Sequence, residues 1–151
     1  MTIYEQNYKI ILWDTAGQEK FRSLTKLYYN EAKVVLLVYD ITNKKIFTAI
    51  GEYWLKEIKT ALGDEPVFGL VGNKSDLIAN KEVDEKIAEK FAEINDLKFK
   101  LCSSKEDPKS FNLFLRSLVK DYITKRKNDE ESDRIDLEKY EGGGQGSCII
   151  M

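Results

Sequence analysis

The stretch VFGLVGNKSD, residues 67–76, begins with a nearly continuous apolar run and ends in a polar turn. An apolar run of this kind is typical of a parallel strand that is buried on both faces. Open α/β sheets bind their ligands beyond the carboxyl ends of the strands. The stretch therefore predicts the fold class and places candidate ligand-binding residues directly after the strand.

Three further apolar runs, Lys9–Trp13, Val34–Tyr39 and Lys98–Cys102, predict the remaining strands. Apolar residues also recur at helical spacing in residues 46–62 and 111–123. Strands that alternate with helices form βαβ units around a parallel sheet, so we expect an α/β fold.

A further helix is predicted to begin after Asp84, because aspartate is a favoured N-cap residue. Its apolar residues Ile87, Phe91 and Ile94 recur at helical spacing and are expected to face the sheet.

Composition limits the classes of protein to consider. The 151 residues are 42% hydrophobic with a net charge of −2, which fits one globular domain and gives no support for nucleic-acid binding. The chain has no histidine, and its two cysteines, Cys102 and Cys148, favour a reduced, cytosolic protein over a disulfide-bonded one. Neither a membrane-spanning run nor a secretory signal is evident. We expect a domain in residues 1–127 and a flexible, charged and glycine-rich tail in residues 128–151.

The first motif is WDTAGQE, residues 13–19, which follows a predicted strand. A carboxylate at Asp14 can reach a metal directly or through water, and Gly17 allows the backbone to approach a terminal phosphate. Gln18 can orient a water molecule for in-line attack on that phosphate. The alternative is an ordinary turn between a strand and a loop.

The second motif is GNKSD, residues 72–76. A carboxylate at Asp76 can accept hydrogen bonds from N1–H and the exocyclic amine of guanine, whereas adenine has the opposite polarity at N1. Asn73 can bind the base edge or nearby loops, and the Lys74 stem can lie along the purine. The CSSK motif, residues 102–105, can donate backbone N–H groups to the guanine carbonyl. A solvated polar turn is the alternative.

The third motif is the C-terminal CIIM, residues 148–151. A cysteine, two aliphatic residues and a final methionine form a prenylation signal on Cys148, and methionine favours farnesyl. A chance apolar end is the alternative.

Four further strings carry a family resemblance: KIILW at 9–13, KFRSLT at 20–25, YYNEA at 28–32 and LVYDIT at 37–42. With the motifs above, they make the chain similar to the Rab branch of the Ras-like small GTPases.

The resemblance implies a role for each motif residue. Asp14 would hold Mg²⁺ through water, Gly17 would contact the γ-phosphate of GTP, and Gln18 would be the catalytic residue that positions water. Trp13 and Tyr28 would belong to the surface that effectors bind, although core packing is an equal alternative for both. The nucleotide-binding residues implied are Asp14, Thr15, Ala16, Gly17, Gln18, Asn73, Lys74, Asp76, Ser103, Ser104 and Lys105.

The sequence departs from the family in two respects. It contains no phosphate-binding Gly-x-x-x-x-Gly-Lys-[Ser/Thr] motif, and its end carries one cysteine, whereas most Rab proteins end in paired cysteines. We therefore expect an incomplete Ras-like P-loop NTPase fold, an N-terminally truncated domain whose mostly parallel sheet lacks the first strand, the phosphate loop, the first helix and the first switch. By resemblance, the first strand would lie between those predicted at Lys9–Trp13 and Val34–Tyr39, so two strand edges should be left unpaired.

Two functional hypotheses remain open. One is a Rab-like GTPase that uses GTP, GDP and Mg²⁺ as a switch in vesicle trafficking, with effectors, an exchange factor, a GTPase-activating protein and a prenyl-binding carrier as partners. The other is a prenylated, nucleotide-independent module that occupies Rab effectors or regulators. Whether the chain is an enzyme is left open, because the 151 residues alone should bind GTP weakly. Both hypotheses place the protein on the cytoplasmic side of intracellular membranes, anchored by lipid and cycling with the cytosol.

Overall fold

The computed structural model describes residues 1–14, 32–63, 65–134 and 147–150. Its strands are β1 Thr2–Ile3, β2 Gln6–Asn7, β3 Ile10–Trp13, β4 Ala32–Asp40, β5 Val67–Asn73, β6 Lys98–Leu101 and β7 Ser147–Ile150. Its helices are α1 Lys44–Ala49, α2 Leu55–Leu62, α3 Glu85–Ile94 and α4 Pro108–Arg134, with a π-helical turn at Ile50–Trp54 and a 3₁₀ turn at Ile78–Asn80.

The main sheet has the order β3-β7-β4-β5-β6, and every neighbouring pair in it is parallel. The predicted α/β class is confirmed, and the four predicted strands correspond to β3, β4, β5 and β6. The predicted helix over residues 46–62 is continuous through α1, the π-helical turn and α2. The predicted helix over residues 111–123 lies within α4, which continues to Arg134.

The sheet position between β3 and β4 is occupied, contrary to expectation. The strand β7 lies there, with Ile11 opposite Cys148 on one side and Val34 opposite Ile149 on the other. Unpaired backbone N–H and C=O groups along β3 and β4 would be costly, and a short β-branched segment can pair with both. The expectation of two unpaired strand edges is therefore wrong for this structure.

Alternation along β4 explains why its apolar run is nearly continuous. Val35, Leu37 and Tyr39 belong to the core on one face of the sheet, under α1, α2 and α3. Val34 and Leu36 belong to the core on the other face, where α4 contributes its predicted stripe. The strand is buried by helices on both sides, as expected for a parallel sheet.

The burial predicted for α3 is confirmed for Phe91, which packs against the core, and is wrong for Ile87 and Ile94. Ile87 and Ile94 are 60% and 72% exposed, whereas Ala88 and Ala92 are buried. Small alanine side chains let the helix backbone lie close to the sheet, and the two isoleucines then face solvent. The predicted N-cap is confirmed, because Asp84 accepts a hydrogen bond from the backbone N–H of Lys86 at 2.9 Å.

A small antiparallel hairpin of β1 and β2 packs on α4 and was not predicted. Ile3 is buried in the core that α4 shares, and Arg116 donates a hydrogen bond to the carbonyl oxygen of Thr2 at 2.7 Å. The turn residues Tyr4 and Glu5 both have positive φ without being glycine or asparagine, so the sequence carries no ordinary hairpin signal. Among the described residues, no helix is long and apolar enough to cross a bilayer.

Candidate functional site

The loop after β5 and the loop after β6 meet at the carboxyl edge of the sheet. The backbone N–H of Cys102 donates to the carbonyl of Gly72 at 2.9 Å, and the N–H of Ser75 donates to the carbonyl of Cys102 at 3.1 Å. These bonds continue the strand pairing beyond the sheet. The motifs at residues 72–76 and 102–105 therefore form one continuous edge.

Asn73 links three loops at this edge. Its side-chain oxygen accepts hydrogen bonds from the backbone N–H and the hydroxyl of Ser104, at 3.1 and 3.0 Å. Its backbone carbonyl accepts a third from the N–H of Ile41, at 3.1 Å. The side-chain oxygen is thus used in loop positioning, which leaves the amide nitrogen as the group to present toward a ligand.

Asp76 is oriented by a buried hydroxyl. The Ser103 side chain is 4% exposed and donates to Asp76 Oδ1 at 2.6 Å, while the same hydroxyl oxygen accepts from the N–H of Glu106 at 3.0 Å. The hydrogen bond from Ser103 is the largest influence that holds the pKa of Asp76 below its ordinary value. The charges of Lys105 and Lys74 act in the same direction. The carboxylate is therefore ionised at neutral pH and acts only as an acceptor.

Lys74 is held by a carboxylate that the sequence analysis did not select. Its backbone has a positive φ of 63°, and its ammonium lies 2.6 Å from Asp40 Oδ2. The other oxygen of Asp40 accepts from the backbone N–H and the hydroxyl of Thr42, at 2.9 and 2.7 Å. Asp40 follows the buried part of β4, and that position is the signal that could have identified it.

The pKa of Asp40 reflects opposing effects. Burial pushes it upward, but the hydrogen bonds from Lys74 and Thr42, together with the charge of Lys74, outweigh burial and keep the pKa below its ordinary value. Asp40 therefore carries a negative charge that aligns the Lys74 stem along the edge.

Gly72 is required by close packing just before the site. A Cβ atom there would collide with Leu101 and would lie 2.8 Å from the hydroxyl oxygen of Tyr39. Tyr39 is itself buried, and burial, followed by the charge of Glu85, raises its pKa to about 12. A larger residue at position 72 would therefore displace the backbone that carries Asn73.

The first motif is only partly described. Asp14 follows β3 at the same edge of the sheet and is exposed, and Trp13 is 42% exposed. The other residues predicted for that motif and its surroundings lie outside the described residues: Thr15, Ala16, Gly17, Gln18 and Tyr28.

The described residues do not by themselves fit a Mg²⁺ ion. They contain no group of three acidic, cysteine or histidine side chains that could hold a metal. One carboxylate at Asp14 is insufficient, because Mg²⁺ in such sites also relies on substrate phosphates and near-octahedral geometry. Asp14 remains a predicted contact to Mg²⁺ through water.

The comparison with protein families decides the assignment. The model of the Ras family matches residues 1–123. This chain belongs to the Ras family. The sequence is 42% identical over 110 residues to the Ras-related protein Rab-30 of Homo sapiens, an alignment that covers 73% of the chain and 54% of that protein.

Other relatives also carry Rab or related names. The chain is 37% identical over 143 residues to the Ras-related protein Rab-26 of Bos taurus, which covers 93% of the chain and 55% of that protein. It is 39% identical over 145 residues to the Ras-related protein YPTC6 of Chlamydomonas reinhardtii, covering 95% and 64%. The predicted resemblance to Rab-type small GTPases is confirmed. The chain spans about half the length of the first curated relatives it matches.

Proposed function

We propose that this chain carries the guanine-recognising part of a Rab-like GTPase switch that acts in intracellular membrane trafficking. The observation that carries the proposal is the position of Asp76. Its carboxylate is ionised and held by the buried hydroxyl of Ser103 at 2.6 Å, beside the Asn73–Ser104 link. Such an edge supplies a fixed acceptor for a base that has two adjacent donors.

Guanine fits this acceptor, and adenine does not. Asp76 would accept from N1–H and the exocyclic amine of guanine, while backbone N–H groups near Ser104 and Lys105 would donate to the guanine carbonyl. The Lys74 stem would lie along the ring, with its ammonium kept on Asp40. Adenine has an acceptor at N1, so the Asp76 carboxylate would face a lone pair and lose its partner.

The roles of the residues that would contact Mg²⁺, the γ-phosphate and the attacking water rest on the family resemblance. In that reading Asp14 would hold Mg²⁺ through water, Gly17 would contact the γ-phosphate, and Gln18 would orient the attacking water. A phosphate-binding loop normally supplies the amide cradle, a lysine and a metal-binding hydroxyl. The 151 residues contain no such motif. We therefore expect this chain alone to bind GTP weakly and not to hydrolyse it.

A second candidate function is a nucleotide-independent module that occupies Rab effectors or regulators. One observation favours it: β7 fills the sheet position between β3 and β4, where the first strand of the family was expected. Either function would present Trp13 and Tyr28 to effectors, and would involve an exchange factor, a GTPase-activating protein and a prenyl-binding carrier.

Membrane attachment is proposed to occur through a prenyl group, farnesyl by preference, on Cys148. A single prenyl chain gives marginal, reversible membrane binding, and stable anchoring normally takes a second signal such as a polybasic patch. The basic residues Lys125, Arg126 and Lys127 lie far along the chain from Cys148. The protein should therefore cycle between the cytosol and the cytoplasmic side of intracellular membranes.

Titration with free nucleosides tests the guanine proposal without involving phosphates. Guanosine should shift the backbone amide NMR signals of residues 73–76 and 103–105, with a Kd on the order of 1 mM, or about 4 kcal/mol of binding free energy. Adenosine should leave these signals in place. In Asp76→Asn the side-chain amide can still accept from Ser103 but cannot accept from both guanine donors, so guanosine should lose its advantage. Equal shifts with both nucleosides in the original chain would rule the proposal out.

A further inference from the structure

We propose that β7 is a removable strand of the sheet, and that its insertion between β3 and β4 excludes the lipid modification of Cys148. The insertion of β7 is argued from the sheet geometry alone. The exclusion of lipid modification rests on the prenylation proposed above. The two states would be an inserted, unmodified C-terminus and a withdrawn, lipid-modified one.

The insertion is a two-sided parallel pairing. Residues Ser147–Ile150 lie opposite Ile10–Trp13 on one side in a continuous register. On the other side Cys148 lies opposite Ala32, Ile149 opposite Val34 and Ile150 opposite Val35, with one irregularity between Ala32 and Val34. A strand flanked on both sides uses its backbone donors and acceptors within the sheet, so it cannot at the same time lie extended on another protein.

The strand β3 depends on β7 for its attachment. Within the part of the chain that the structure describes, β3 pairs with β7, and β7 in turn pairs with β4. Withdrawal of β7 would therefore remove the hydrogen bonds that join β3 to the sheet, and the position of Asp14 at the end of β3 would change. The state of the C-terminus would thus be coupled to the proposed metal-contact residue.

The segment between α4 and β7 limits how far the C-terminus can reach from the helix. The twelve residues numbered 135–146 connect α4 to β7 and can span at most about 40 Å when fully extended. They include the run GGGQG at 142–146, which offers little resistance to changes in backbone direction. The strand β7 belongs to the same chain as β3 and β4, so the insertion described is intramolecular.

Lipid transfer needs the withdrawn state. In that reaction the Cys148 sulfur forms a C–S bond with C1 of a prenyl diphosphate, the C–O bond to diphosphate breaks, and diphosphate leaves with the electron pair. The thiol proton passes to solvent. The transferase must hold the last residues of the chain while this happens, and β7 is made of four of the last five. Each modification event would therefore have to wait for β7 to leave the sheet.

Amide hydrogen exchange on the full chain tests the insertion of β7. Amides of residues 11–13, 148 and 150 should exchange about tenfold more slowly in the original chain than in Ile149→Pro, because proline removes a ladder donor. Ile149→Val should behave like the original chain. Equal exchange in the proline variant and the original chain would overturn the insertion. A protection that grows with protein concentration would also overturn it, since it would indicate strand exchange between molecules.

A farnesyltransferase assay tests, without any variant, whether insertion of β7 excludes the modification of Cys148. The full chain should be modified about tenfold more slowly than a peptide of residues 141–151, since most molecules hold β7 in the sheet. Equal rates would overturn the exclusion. If the peptide itself is not modified, the proposed prenylation fails and the exclusion fails with it. The exchange experiment would still test the insertion of β7 independently of prenylation.

Discussion

The two ends of the carboxyl edge of the sheet are supported very differently. The end formed by the β5 and β6 loops is cross-linked by side chains: Asn73 to Ser104, and Asp76 to Ser103. The end formed by β3 is joined, in the described part of the chain, to the rest of the sheet through the four-residue strand β7. The comparison indicates that the end formed by the β5 and β6 loops, called the guanine-facing end after the guanine binding proposed above, can remain ordered while the end that carries Asp14 changes.

The largest expected effect comes from the helix under the guanine-facing end. Leu118 is fully buried between α4 and the sheet, and Leu118→Ala should lower the free energy of unfolding by about 2–5 kcal/mol. Leu113→Ala is the matched control, because Leu113 lies on the same helix at 68% exposure and should change it by less than about 0.5 kcal/mol. Chemical denaturation measures both variants.

The same variant also tests whether the two ends of the edge open independently. Leu118→Ala should speed amide exchange in β5, whose protection depends on unfolding of the core. It should change exchange in β3 much less, because β3 can open by losing β7 alone. An equal acceleration in both strands would show that the sheet opens as one unit, and the two ends would not be independent.

The smallest expected effect concerns Asp40 and acid. The pKa of Asp40 is held below its ordinary value in the folded chain. The pairing with Lys74 therefore stabilises the fold when the pH lies above that ordinary pKa, and this stabilisation is lost as the pH falls through the lowered pKa. Asp40→Asn should reduce stability at pH 7 by up to about 1 kcal/mol, because the Lys74 side chain is about half exposed.

Denaturation curves of Asp40→Asn and the original chain at pH 7 and at pH 3 check this sign. The difference between the two proteins should shrink on acidification, since the stability that the lowered pKa of Asp40 contributes is lost as the pH falls from its ordinary value through the lowered one. Glu89→Gln is a suitable control, because it removes a carboxylate charge from an exposed position on α3. A difference that grows toward pH 3 would contradict the assigned pairing.

Much of the guanine-facing end could be predicted, because its residues directly follow apolar strands. Position after a buried parallel strand is enough to bring Asn73, Asp76 and Ser103 to one edge. The Asp40–Lys74 pair was missed because it joins loops 34 residues apart in a way that spacing does not encode. The burial of Ala88 and Ala92 was missed because apolar periodicity favours large side chains over small ones.

The strand β7 could not have been predicted from its own composition. Residues 128–146 are charged and glycine-rich, which favours a flexible tail, and a four-residue strand has too little local signal to compete with that pattern. Its pairing depends on two strand edges that lie more than a hundred residues earlier in the chain. The hairpin at Tyr4 and Glu5 was missed for a related reason, because contacts with α4 hold a turn that its own residues do not favour.

Recognition of guanine without a phosphate site is tested most directly by calorimetry. The affinities of guanosine and GTP for the 151-residue chain are compared with Mg²⁺ present. A guanine-recognising edge without a phosphate loop should bind the two ligands with Kd values within about tenfold of each other, or about 1.4 kcal/mol. If GTP bound more than about a thousandfold tighter than guanosine, or about 4 kcal/mol, these residues would have to build a phosphate site, and the proposed lack of one would be wrong.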